Sequence, residues 1–132
     1  MRPVNLFLTK DGVLKLGAYG LMTQAECYSI KGMNCDGLRS FAPEVFRGKY
    51  EMKSDVWSLG IVLLEMIGLT PFVGYSNSQL LTKGLLELPF DENRIKSLEL
   101  IDFLKSCFEK GVRDRWSVNA LMIVSDEREN DE

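Results

Sequence analysis

Ser54-Asp55-Val56-Trp57-Ser58-Leu59-Gly60 opens the stretch on which the fold turns, and it continues as Ile61-Val62-Leu63-Leu64-Glu65-Met66-Ile67-Gly68. Val56, Trp57, Leu59, Ile61, Val62, Leu63, Leu64, Met66 and Ile67 fall on nearly every face of a helix, the pattern of a segment buried on most sides. Ser54 or Asp55 is placed to cap its start, and Gly68 and Pro71 to stop it. The longest apolar run, Gly60 to Leu69, is interrupted by Glu65 and is too short to span a bilayer.

Downstream, Asn77 to Leu86 suits a short amphipathic helix. Leu98, Ile101, Leu104, Cys107 and Phe108 recur at three- and four-residue steps, a helical stripe. A last helix is expected over roughly 117–124, and the acidic residues 125–132 read as a disordered tail. Upstream, the chain turns helical from Phe41, with Pro43 in a first turn where its missing N–H does no harm. Residues 17–39 show no steady period and read as a long loop, of a length that is often functional. Asn5 to Leu8 and Val13 to Leu16 read as two strands joined through Lys10-Asp11-Gly12, a hairpin signal. The expected class is mainly α with a small β-hairpin at its start: one domain over 1–124, then the tail.

Composition narrows the function. The chain has 132 residues, 45% hydrophobic and 27% charged, which suits one globular domain with a real core. A net charge of -3 argues against nucleic acid or an anionic membrane as partner. The absence of histidine removes the commonest general base and metal ligand. Cys27, Cys35 and Cys107 are too widely spaced for a C-x-x-C site and read as free thiols in a reducing compartment. No apolar leader follows Met1. A cytoplasmic location is expected, with the nucleus left open.

Several strings fall in order along the chain: Asn5-Leu6-Phe7-Leu8, Lys15-Leu16-Gly17-Ala18-Tyr19-Gly20, Ala42-Pro43-Glu44, Ser54 to Gly60, and Arg113-Asp114-Arg115. Their order and spacing resemble the catalytic loop, metal-binding loop, activation segment and helical core of a eukaryotic protein kinase. The resemblance covers about 2–124 and implies the C-terminal lobe only, without the N-lobe and without the helix before the catalytic loop. Pro3, and Phe46-Arg47-Gly48-Lys49-Tyr50, look more like a serine/threonine kinase than a tyrosine kinase, within which a germinal-centre-kinase-like relative is the guess.

What the resemblance implies about the site departs from the family at several points. Asn5 matches the catalytic-loop asparagine that holds a magnesium ion, and the catalytic Asp would lie one position before Met1. Arg2 takes the place of the lysine that steadies the transferred phosphate, which is not a neutral exchange. Ala18, in Ala-Tyr-Gly, replaces the Asp of Asp-Phe-Gly, and alanine offers Mg²⁺ no oxygen. Against this, an asparagine at 5 that only forms a turn remains open. Thr23, Ser29 and Ser40 could be phosphorylated, or be plain loop residues. Glu44 resembles the glutamate that pairs with an arginine late in the domain, and Arg115 stands where that arginine belongs. Asp55 resembles the aspartate that accepts backbone hydrogen bonds from the catalytic loop, a role compatible with a simple cap.

The functional expectation is a truncated pseudokinase C-lobe without phosphotransfer of its own, acting through protein binding. The alternative is a fragment of a serine/threonine kinase, an ATP-dependent phosphotransferase, whose N-lobe is missing from the chain. A plain helical interaction domain with chance matches is a third reading. No cofactor is expected for this chain, although the family uses ATP and magnesium. Either another protein or a missing N-lobe is expected to cover apolar surface left exposed on the central helix.

Overall fold

The computed structural model describes residues 5–17, 38–82 and 87–129. Arg2, Ala18, Thr23, Ser29, Cys27 and Cys35 lie outside these residues, as do most of the expected long loop and the end of the chain.

The chain opens with strands β1 (Leu6–Leu8) and β2 (Leu14–Leu16), paired antiparallel with Leu6 opposite Leu16, Phe7 opposite Lys15 and Leu8 opposite Leu14. The Thr9 N–H donates to the Val13 carbonyl at 2.9 Å and the Gly12 N–H to the Thr9 carbonyl at 3.1 Å, closing a three-residue loop over Lys10-Asp11-Gly12. Period-two geometry puts the four leucines on one face of this ribbon and Phe7 with Lys15 on the other.

Helix α1 (Pro43–Phe46) follows, with Pro43 in its first turn. Helix α2 (Ser54–Met66) is the central helix. It begins one residue before Asp55, and Lys53 occupies the cap position without a side-chain cap bond. The expected cap by Ser54 or Asp55 is therefore corrected: Ser54 is the first helical residue, and its hydroxyl serves other partners. Its far end closes as a Schellman motif, with the Gly68 N–H on the Glu65 carbonyl at 3.1 Å and the Leu69 N–H on the Leu64 carbonyl at 2.8 Å. Helix α3 (Asn77–Thr82) falls within the expected 77–86, whose last four residues lie outside the described ones. A 3-10 turn (Glu92–Arg94), helix α4 (Leu98–Cys107) and helix α5 (Val118–Glu129) complete the order.

Two clusters of buried side chains hold the helices together. Trp57, Ile61 and Leu64 of α2 meet Ile101, Leu104 and Phe108 of the α4 segment, with Ala42, Val45 and Ile95 packed alongside. Burying each large apolar side chain of such a cluster stabilises by about 1.5–3 kcal/mol. On another face of α2, Val56 packs with Cys107 and with Leu121 of α5. The two helices approach closely because residue 60 is glycine. A Cβ there would lie 2.6 Å from Phe108 Cζ and 3.0 Å from Cys107 Cβ, inside contact distance. The expectation of a central helix buried on most sides fits Val56, Trp57, Ile61, Val62 and Leu64, while Met66 and Ile67 at its end are exposed.

Two expectations need correction. Leu98, first residue of the α4 stripe, is 72% exposed, because the stripe turns inward only from Ile101. The last helix runs to Glu129, so 125–129 are helical instead of the start of a tail; residues 130–132 lie outside the described ones.

Candidate functional site

Glu44 sits in α1, one residue after the proline that starts it. The helix is only one turn long and is fixed at both ends. Ala42 enters in extended backbone, and past Arg47 the Gly48 N–H reaches the Val45 carbonyl while the Lys49 N–H reaches that of Glu44, both at 3.0 Å. Gly48 holds a φ of 74°, which glycine adopts without penalty. This pins the Glu44 backbone and turns its carboxylate into the core, where the residue is 8% exposed.

Arg115 comes from a tight turn in which the Asp114 and Arg115 N–H groups both donate to the Gly111 carbonyl. It is fully buried. Its guanidinium grips the carboxylate with both ends, Nη1 to Oε1 at 2.6 Å and Nη2 to Oε2 at 3.0 Å. Nη1 also donates to the Lys53 carbonyl at 3.0 Å and Nε to the Glu109 carbonyl at 2.8 Å. The guanidinium carbon lies 5.2 Å from the Trp57 ring centroid, a cation–π contact in a desolvated place. Ser54 Oγ donates to Glu44 Oε1 at 2.7 Å and accepts from the Glu51 N–H at 3.0 Å.

Burial by itself would raise the Glu44 pKa. Hydrogen bonds from Arg115 and Ser54, helped by the backbone and by the Arg115 charge, outweigh it and hold the carboxyl below its ordinary value. Chemically this is a clamp, with acid and base both engaged. It joins α1, the start of α2 and the turn before α5. Lys53 strengthens the same junction, since its Nζ donates to the Arg113 carbonyl at 2.7 Å.

The other sequence-picked residues fall elsewhere. Asp55 lies in the first turn of α2 and accepts from the Tyr50 hydroxyl at 2.5 Å. The carbonyl of Ser40 accepts from Ser58 Oγ at 2.8 Å, tying the segment before α1 to α2. Ser40 itself is only 4% exposed. Asn5 precedes β1, and its carbonyl accepts from the Gly17 N–H at 2.7 Å, extending the ladder by one rung. The hairpin thus brings Asn5 beside Gly17, the residue that leads into Ala18. Sequence reasoning picked out Glu44 and Arg115 but missed Ser54, Lys53 and Trp57 as their partners. The Ser-Asp-x-Trp spacing carried that signal: positions 54 and 57 are one turn apart on the helix face toward Glu44 and Arg115.

The hairpin, the helical core and the Glu44–Arg115 clamp now stand beside the known families. The protein kinase domain model matches residues 1–125. The chain belongs to the protein kinase domain family. It is similar to serine/threonine-protein kinase Nek9 of Xenopus laevis, 31% identical over 127 residues, covering 92% of this chain and 14% of that protein. Serine/threonine-protein kinase Nek1 of Mus musculus is 32% identical over 121 residues, 89% of this chain and 10% of its own length. Serine/threonine-protein kinase pakB of Dictyostelium discoideum is 33% identical over 125 residues, 89% of this chain and 14% of its own length. The chain therefore spans only a small part of these relatives. Among the described residues, no helix is long and apolar enough to cross a membrane.

Proposed function

We propose that this kinase-family chain is of the pseudokinase type, a C-lobe that works by binding another protein and does not transfer phosphate. Ala18 carries the reading. The metal-binding loop of the family needs a carboxylate at that position, and Gly17, the residue before Ala18, donates its N–H to the Asn5 carbonyl at 2.7 Å. One asparagine and one methyl group do not make a magnesium site, because the ion selects carboxylate oxygens in near-octahedral geometry. Arg2, in place of the phosphate-steadying lysine, points the same way. The residues present therefore do not fit the ATP–magnesium chemistry of the family. The lineage is serine/threonine, a germinal-centre-kinase-like type fits the 46–50 string, and the location is cytoplasmic.

A second reading draws support from the hairpin. Phe7, Leu8 and Leu14 are 57%, 71% and 64% exposed, an apolar surface suited to cover by further chain. On that reading this is the C-terminal portion of a longer serine/threonine kinase, and Ala18 would still leave it a poor catalyst. A phosphotransfer assay with labelled ATP, Mg²⁺ and a generic protein substrate tests the proposal. Background incorporation only is expected, and incorporation that rises with enzyme concentration would refute it.

A further inference from the structure

A cavity of about 330 Å³ opens between the turn that follows α2 and the segment entering the 3-10 turn. It shares no lining residue with the Glu44–Arg115 clamp or the hairpin. Three aromatic residues, Phe72, Tyr75 and Phe90, are among those that line it, together with polar groups. Phe72 and Tyr75 come from the first segment, with ring centroids 5.6 Å apart and planes inclined by 57°. Phe90 comes from the second and is held by Phe108 at 5.8 Å. Phe72 and Phe90 both pack on the main core cluster, so the wall is anchored from behind.

Phe72 adopts a φ of 59°. A bulky residue pays for that left-handed backbone, where glycine would not. The Tyr75 N–H on the Phe72 carbonyl at 3.1 Å and the ring's seat on the core hold it there. A strained residue held in place at the lip of a cavity is a recurring mark of ligand clamps.

The charges decide what the cavity would accept. Glu87 and Asp91 line it with a single cation, Arg94. Asp91 Oδ1 is engaged with the Asn93 backbone and side-chain N–H groups, a use that leaves the carboxylate's charge in place. Carboxylates beside electron-rich ring faces favour a cation, and a planar guanidinium can stack and pair at once. The volume is at the small end of ligand pockets, which span roughly 300–1,000 Å³, and suits a single side chain.

We propose that this cavity receives an arginine side chain presented by a peptide segment of a partner protein. The proposal stands apart from the question of catalysis, since none of these residues belongs to the metal-loop or catalytic-loop strings.

The test is an NMR titration of the full chain, amide by amide, with three capped peptides: Gly-Arg-Gly, the isosteric neutral Gly-citrulline-Gly, and Gly-Glu-Gly. Saturable shifts are expected at Phe72, Tyr75, Phe90 and Arg94 with the arginine peptide, and binding at least roughly threefold weaker with citrulline. Glu87→Gln combined with Asp91→Asn should weaken the arginine peptide by roughly three- to tenfold, the Asn retaining the oxygen that Asn93 uses. Tyr75→Leu should weaken it while shifts distant from the cavity stay unchanged. Equal binding of the citrulline peptide, preference for the glutamate peptide, or no saturable shift up to about 10 mM would each overturn the proposal.

Discussion

Glu44 and Arg115 stand 71 residues apart in the chain and meet inside the core through two hydrogen bonds of 2.6 and 3.0 Å. The guanidinium also donates to the Lys53 and Glu109 carbonyls and lies against the Trp57 ring, so the buried charge is held by several partners at once. Removing one partner strands the other's charge. Arg115→Met should lower the unfolding free energy by about 3–5 kcal/mol. Arg115→Lys should not rescue it fully, because an ammonium cannot make the two-pronged contact. The double variant Glu44→Leu/Arg115→Met should cost less than the two single changes added together. Urea unfolding of the four proteins measures this coupling directly.

The same pair makes stability depend on pH with a defined sign. Glu44 titrates lower in the folded chain than its ordinary 4.5. Its contribution is therefore fully present above the unfolded carboxylate value and is lost as pH falls through the lower, folded one. Stability measured from neutral pH downward should decline across the acid range. Glu44→Gln, less stable at neutrality, should show a shallower decline. A parallel decline in both proteins would show that other carboxylates carry the effect.

Gly60 is the point where α2 and α4 come closest. Gly60→Ala would regain about 1 kcal/mol of helix propensity. The added Cβ would meet Phe108 Cζ at 2.6 Å, and that ring is already wedged between Trp57 at 5.1 Å and Phe90 at 5.8 Å. Net destabilisation of about 1–3 kcal/mol is expected from such overpacking. Thermal unfolding checks the value, and Phe108→Leu in the same background should recover part of it.

Cys107 is buried, and that burial pushes its thiol pKa up to about 12, with the Arg115 charge opposing only part of the rise. At neutral pH the thiolate, the reactive form, is nearly absent. Iodoacetamide labelling followed by peptide mapping should leave Cys107 unmodified in the native chain and label it once the chain is unfolded in denaturant. Native labelling at a rate typical of an exposed thiol would show that the α2–α4 seam opens readily.

The central helix and the clamp could be read in the residues for different reasons. The 54–68 stretch carries its apolar residues all round, and a Gly ends it, so its element type follows from local physics alone. Glu44 and Arg115 needed the ordered motif set, since no local rule joins two charges 71 residues apart. Ser54 looked like a cap because serine usually caps. Its hydroxyl instead bonds Glu44 at 2.7 Å, a long-range demand that outranks the local preference. Leu98 looked internal by spacing but lies a turn ahead of the point where α4 enters the core. The acidic end of α5 looked disordered because composition says nothing of a helix already begun by the Ser117 cap, whose Oγ takes the Ala120 N–H at 3.2 Å. The cavity at Phe72 left no trace in the pattern, because a left-handed phenylalanine has no sequence signature.

The central claim is that Ala18 removes magnesium-dependent nucleotide binding. Thermal unfolding of the chain with ATP, in the presence and absence of Mg²⁺, tests it most directly. The account predicts the same midpoint with and without the metal. A magnesium-dependent rise equivalent to about 2.7 kcal/mol, which a ligand at a hundredfold its dissociation constant would supply, would contradict it.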